Sequence, residues 1–426
     1  MKKTDREYTE RLISFIEKSP SSFHAIRNMK EELREAGFAE LDEKKRWKLE
    51  RGKSYFVTRN GSALIAFRIP ESCPEFFSII AAHTDSPAFK VKVNPEITSS
   101  SLYTTLNIEG YGGMLMAPWF DRPLSIAGRV YVKTASGYEE KLVDFPRPFV
   151  MIPSLAIHMN RKVNEGHGYS VQKELTPLFA EGAEKGRFLK VLAQCAGAKE
   201  EALLEYDLFL YPKMNGTIWG LDSEFFSSPK IDDLMCAYSS LQGLIEAGNG
   251  KSIAMAALFD NEETGSGTKQ GALSDFMRNA IARICFTLGI DEEEKSMMLA
   301  SSHLISADNC HALHPCYSEK CDVTNKPRMN GGIAIKYSAA QKYTTDAESA
   351  SFLRCLLDDN NIPYQYFVNN SDIPGGSTLG NLSQQEISIP SVDIGAAQLA
   401  MHSPYETAGV RDTKPLVDLG KAFFER

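Results

Sequence analysis

The residues of this 426-residue chain best suited to chemistry sit where apolar runs end. Ser252-Ile-Ala-Met-Ala-Ala-Leu-Phe259 gives way to Asp260, Glu262 and Glu263, and then to glycine. Phe76-Phe-Ser-Ile-Ile-Ala-Ala82 ends in His83-Thr-Asp85, and His303-Leu-Ile-Ser-Ala307 ends in Asp308. Asp232 and Asp233 lead a stretch of helical periodicity, and His402 closely follows the run 387–395. Carboxylates crowded into a partly desolvated place persist only if protonated, paired or bound to a cation. Two imidazoles with several carboxylates form an N/O donor set suited to zinc, cobalt or manganese. Five donors exceed the needs of one catalytic zinc, whereas a bridging carboxylate lets them serve two ions. Taken alone, the acids after Phe259 read more simply as a solvated turn. Convergence with His83, Asp232, Asp308 and His402 is what argues for a metal site.

That convergence depends on the elements carrying the residues. Short apolar runs bounded by turn residues read as strands buried on both faces, the kind found in parallel sheets. Two amphipathic helices are expected over 5–36, broken at Ser19-Pro-Ser-Ser22, and a hairpin over 54–69 turns at Asn60-Gly61. Beyond residue 229, helices at 269–284 and 346–358 alternate with strands, including Tyr364–Val368. This alternation predicts an α/β fold with a mostly parallel central sheet and helices on both faces. In such sheets ligands gather at the carboxyl ends of the strands, where the acids and histidines fall. Between 90 and 222 the texture becomes rich in strands, Gly and Pro, which reads as an inserted β-rich domain. The expected division is 1–90 and 223–426 for the two segments of a catalytic domain, and 91–222 for the insert. Tyr111–Pro123 within it reads as neither helix nor strand.

The net charge of −8 and the absence of a basic stripe exclude a nucleic-acid partner from the expectations. No window is long and apolar enough for a bilayer, and no apolar segment follows the charged N-terminus. With scattered cysteines and no secretory signal, a cytoplasmic location without a disulfide framework is expected. Cys310, His311, His314, Cys316 and Cys321 form a decoy zinc knuckle, since they lack paired short hooks. Gly375-Gly-Ser-Thr-Leu-Gly380 lacks the Lys-Ser/Thr of a phosphate loop.

Several motifs together resemble the aspartyl aminopeptidase family of dinuclear zinc metallopeptidases. They are His83-Thr-Asp85-Ser-Pro, Asp232-Asp-Leu, Asp260-Asn-Glu-Glu263-Thr-Gly-Ser, Ser306-Ala-Asp308 with His311-Ala-Leu-His314-Pro, Gly375-Gly-Ser-Thr378 and Met401-His-Ser403. Ser22-Phe-His24 and Trp119-Phe-Asp-Arg-Pro123 also resemble family motifs, so the likeness runs in order along the whole chain.

The resemblance implies hydrolysis of the N-terminal residue from peptides with a free N-terminus. It assigns His83, Asp232 as the bridge, Glu263, Asp308 and His402 to two divalent ions, zinc foremost. Glu262 becomes the general base, and Asp85 sits behind His83 to hold its ring in the ligating tautomer. Gly376, Ser377 and Thr378 would line the substrate site, with Lys336 placed to pair with an acidic side chain. The insert would make dimer contacts within a homo-oligomer, up to a tetrahedral dodecamer, with His158 reaching a neighbouring subunit's site. Three departures from the family pattern bear on substrate preference: Lys230-Ile-Asp232-Asp233, Asp121-Arg122-Pro123 and Gly375. The rival expectations are a related dinuclear amidohydrolase and a catalytically silent assembly or cargo protein of the same fold.

Overall fold

The computed structural model describes residues 4–98 and 102–426. Residues 1–3, the start of the segment read for a secretory signal, lie outside the described residues. Helix Asp5–Glu17 starts at Thr4 with a reciprocal cap to Glu7 and buries Tyr8, Leu12, Phe15 and Ile16. Helix Ser22–Glu35 is capped by Ser21, so the Pro-Ser-Ser break does what its residue types suggest.

A nine-stranded sheet forms the centre. Its spatial order is Ala39–Leu41, Ser54–Arg59, Ala63–Arg68, Ser252–Phe259, Phe76–His83, His303–Ala307, Ser391–Gly395, Ile333–Tyr337 and Tyr364–Val368. The middle four strands are parallel to one another. Antiparallel pairs arise at the Asn60-Gly61 hairpin, between Ala63–Arg68 and Ser252–Phe259, and between Ile333–Tyr337 and Ser391–Gly395. Every residue of Ser252–Phe259 is buried. Ala254, Ala256 and Leu258 pack into the core under helices Asp5–Glu17, Ile231–Glu246 and Thr413–Phe424. Ile253, Met255, Ala257 and Phe259 pack into the opposite core with helix Phe276–Leu288. The period of two thus explains the unbroken apolar run: both faces of the strand are covered.

Register then places the chemistry. Phe259 pairs with His83, and Ala307 with Ile394, so the middle strands finish at one edge of the sheet. A second sheet of six antiparallel strands spans Ala88–Ile97 to Leu203–Pro212 and has its own core around Phe89, Trp119, Ile126, Phe145 and Phe188. This is the α/β architecture with a β-rich second unit that the sequence predicts.

Three features depart from expectation. The helix expected over 269–284 is Phe276–Leu288; residues 266–275 form successive turns around Gly267 and Gly271, and the stop is Gly289 at φ +75°. The last strand of the run 387–395 starts only at Ser391, after Pro390. A third sheet joins Thr217–Trp219, Phe225–Ser228, Glu406–Gly409, Ala397–Leu399 and Cys310–His311. Its strands are too short to leave a periodic signal.

Candidate active site

The site assembles from five chain segments meeting where the middle strands of the central sheet end. His83 closes its strand, with Nδ1 3.1 Å from the Asp85 carbonyl and 3.3 Å from the Asp85 carboxylate. Nδ1 therefore carries a proton, and Nε2 is the nitrogen left to ligate a cation. Nε2 faces Asp232 Oδ1 at 3.5 Å and Asp308 Oδ1 at 3.9 Å. On the other side, His402 Nε2 lies 3.4 Å from Asp232 Oδ2 and 3.4 Å from Glu263 Oε1. One carboxylate therefore turns each of its oxygens toward a different imidazole.

The local backbone is built for this. Asp232 and Asp233 sit at the start of helix Ile231–Glu246 with non-helical angles, which frees both side chains from the helix surface. Lys230, Asn261, Ala400 and His402, all next to the site, have φ between 54° and 65°. Such conformations cost about 1–3 kcal/mol each and concentrate where function demands them. His402, about a third exposed, marks the side open to solvent.

Ligand atoms of His83, Asp232 and Glu263 lie within 4.8 Å of one another, as do those of His83, Asp233 and Asp308. Glu262 and His402 belong to neither group, although His402 Nε2 stands 3.4 Å from Glu263 Oε1 and Glu262 adjoins Glu263 in sequence. Asp232 Oδ1, Asp233 Oδ1 and Glu263 Oε1 are buried without a hydrogen-bond partner among the described residues. Each such oxygen costs more than the roughly 1–3 kcal/mol of a neutral orphan. Burial, then the Asp308, Asp85 and Asp232 charges, push the Glu262 carboxyl up to about 8, with His83 opposing. Burial and the Asp232 charge hold Glu263 well above the carboxylate range, and burial with Asp308 does the same for Asp233. Burial pushes the His83 imidazole down, but Asp232, Asp85 and Asp233 outweigh it and hold it well above its usual range. Protons and cations compete for the same oxygens, and the two-imidazole, multi-carboxylate set fits divalent zinc.

Asp85 accepts hydrogen bonds from the backbone N–H groups of Glu262 and Glu263, each at 3.2 Å, and from Tyr111 at 2.6 Å. It therefore fixes the turn bearing both glutamates as well as the His83 ring. Lys336 is 2% exposed, and its ammonium meets the Asp308 carbonyl at 2.9 Å, the Asp308 carboxylate at 3.4 Å and the Asn309 carbonyl at 3.2 Å. Its charge is directed at Asp308. Gly376 lines a cleft of about 510 Å³ with His311, Lys320, Phe367, Gly375 and Ala400. Ser377 donates to Asn381, and the buried Thr378 hydroxyl donates to Asp393, so both anchor this segment. His158 lies on an exposed turn beside exposed Leu155, Ile157 and Met159.

Sequence reasoning missed two residues that shape the site. Glu406 accepts from the backbone N–H of Asp232 at 2.9 Å and of His402 at 2.8 Å, tying two candidate ligands to one buried carboxyl. The other is Asp233, singled out beside Asp232 but given no role, which also accepts from the His83 backbone N–H at 3.3 Å. No cysteine enters either candidate metal group among the described residues, which leaves the knuckle without support.

A family model described as the aminopeptidase I zinc metalloprotease (M18) matches residues 15–424. The chain belongs to this M18 family. It is 44% identical over 418 residues to the probable M18 family aminopeptidase 2 of Clostridium acetobutylicum, covering 96% of each chain. The fold superposes on a chain of the Ape4 and Nbr1 complex with a TM-score of 0.94 and 32% identity, over 100% of this chain and 87% of that one. Against the mApe1 dodecamer of S. cerevisiae the TM-score is 0.87 at 26% identity, over 99% and 97%. As an M18 member the chain is a zinc metallo-aminopeptidase, and the convergent histidines and carboxylates include groups that could hold a metal ion. Among the described residues no helix is long and apolar enough to cross a membrane.

Proposed function

We propose that the chain removes the N-terminal residue from peptides at a two-zinc site bridged by Asp232. The observation carrying this is the Asp232 carboxylate, whose two oxygens lie 3.5 Å and 3.4 Å from the imidazoles of His83 and His402. Asp308 completes the His83 side and Glu263 the His402 side, with Asp233 close behind the first. Zinc held there supplies Lewis acidity, polarising the scissile carbonyl and making water nucleophilic at neutral pH. Glu262, on the turn that Asp85 holds beside Glu263, takes the proton of the attacking water and delivers it to the departing amine. Asp85 keeps His83 in the Nδ1–H tautomer and holds the Glu262–Glu263 turn in place.

The first side chain of the substrate enters the cleft bounded by Gly375, Gly376 and His311. Its lining contains Lys320 and two histidines but no carboxylate, which favours acidic and neutral residues over basic ones. The Gly376–Thr378 segment, held by Thr378 on Asp393, shapes this entrance. The second sheet serves subunit contact in a cytoplasmic homo-oligomer. The dodecameric assembly of mApe1 supports this, as does the exposed apolar turn of Leu155, Ile157 and Met159 on which His158 sits.

The test is chelation of the purified protein, restoration of candidate metals, and assay of aminoacyl-anilides with free and blocked N-termini. Zinc-restored cleavage of unblocked substrates alone is expected. Cleavage of blocked substrates would make it an amidohydrolase, and no cleavage of either would make it a silent relative.

A further inference from the structure

Tyr111 closes a hydrogen-bond circuit that the ligand set does not explain. It ends strand Tyr103–Tyr111 of the second sheet, yet its hydroxyl reaches the edge of the central one. There it donates to Asp85 Oδ2 at 2.6 Å and accepts from Asn261 Nδ2 at 2.8 Å. Asn261, at φ 62°, opens the turn Glu262–Thr264, and its Oδ1 accepts from Thr268 at 2.8 Å and Gln270 at 2.6 Å. The remaining donors on the Asp85 carboxylate lie at 3.2–3.3 Å, so the Tyr111 bond is the short, charge-assisted one. One hydroxyl thus joins the chain just past the His83 strand to the chain just past the Phe259 strand. The next residue, Gly112, is at φ +73°, and a Cβ there would stand 3.0 Å from the Glu263 Cβ. The segment that reads as neither helix nor strand is pressed against the glutamate turn.

We propose that Tyr111 is a positioning residue. By holding Asp85 and Asn261 together, it fixes the His83 ring and the Glu262–Glu263 turn as one unit, so the second sheet sets the geometry of the hydrolytic site. This rests on the metal-hydrolase reading of that site. A tyrosine that only filled space would need its ring alone, and the ring already packs edge-on against Phe209 with centroids 5.5 Å apart. Tyr111→Phe keeps this packing and removes only the hydroxyl, which leaves an Asp85 oxygen short of its best donor.

The experiment is Tyr111→Phe in the full chain, measured with zinc and, for spectroscopy, with cobalt. Groups that orient metal ligands typically contribute 10–100-fold to metal affinity or activity. The expected result is a folded, metal-loaded protein whose kcat falls about tenfold at unchanged KM, with shifted cobalt d–d bands. Asn261→Gly, which tolerates the positive φ, should shift the same bands and decides the matter if Tyr111→Phe fails to fold. Cobalt bands and kcat within twofold of the parent would overturn the proposal, as would a loss of rate that only tracks the unfolded fraction. If the parent cleaves no aminoacyl substrate, the hydrolase reading fails, while the cobalt spectra still decide the role of Tyr111.

Discussion

The Lys336 ammonium is bonded to both the carbonyl and the carboxylate of Asp308, at 2.9 Å and 3.4 Å, and is buried there. A lysine so engaged neutralises one acid of a crowded site and cannot also reach a substrate side chain. Lys336→Met should lower the stability of the folded protein by about 3–5 kcal/mol, the usual cost of stranding one partner of a buried pair. It should leave the ratio of kcat/KM for aspartyl over leucyl substrates unchanged. Denaturant melts and paired kinetics check both, and a tenfold fall in that ratio would return Lys336 to the substrate pocket.

Glu262→Gln should retain the parental zinc content and lose about 10²–10⁴-fold in kcat, the range for a general base. Elemental analysis and steady-state rates on one preparation separate the two effects. Zinc loss in step with activity would mean that Glu262 is a ligand instead.

Glu406→Ala removes the acceptor shared by the Asp232 and His402 N–H groups. About 10–100-fold weaker zinc binding is expected, because outer partners orient the ligands they hold. Competition with a chromophoric chelator measures this directly. Unchanged affinity would confine Glu406 to the packing of the small sheet.

His24 gives a pH signature away from the metals. Burial, then the charges of Arg27, Lys230 and Lys213, push its imidazole down to about 3, and Nδ1 lies 2.8 Å from the Ser21 hydroxyl. Below about 6.5 the unfolded chain takes up a proton that the folded chain refuses. Stability therefore falls as pH drops from about 6.5 toward 3, with this group contributing up to about 1.4 kcal/mol per unit. His24→Asn should flatten that limb in denaturant titrations at pH 5 and 7. An unchanged slope would show that His24 ionises freely in the fold.

The sheet and the convergence of its strand ends were legible because both rest on local signals. Unbroken apolar runs mark strands covered on two faces, and His83, Asp260 and Asp308 lie at or one residue past their ends, with Glu262 and Glu263 in the turn that follows. Glu406 and Tyr111 were hidden for one physical reason. Each acts through a contact between sheets, Glu406 from a strand of four residues and Tyr111 from another domain-sized unit, and neither leaves a periodic trace. The start of helix Phe276–Leu288 was missed because apolar spacing continues back through a turn region that Gly267 and Gly271 keep from being helical. Lys336 looked like a substrate contact because its burial against Asp308 is set by the fold around it and leaves no mark in the sequence.

The bridging role of Asp232 is the centre of the functional reading, and the zinc stoichiometry of the reconstituted protein tests it most directly. Elemental analysis of folded chain after removal of excess metal should give two zinc ions per subunit, falling to one or fewer in Asp232→Asn with the fold retained. One zinc in the parent protein, or two in Asp232→Asn, would contradict a centre built around that carboxylate.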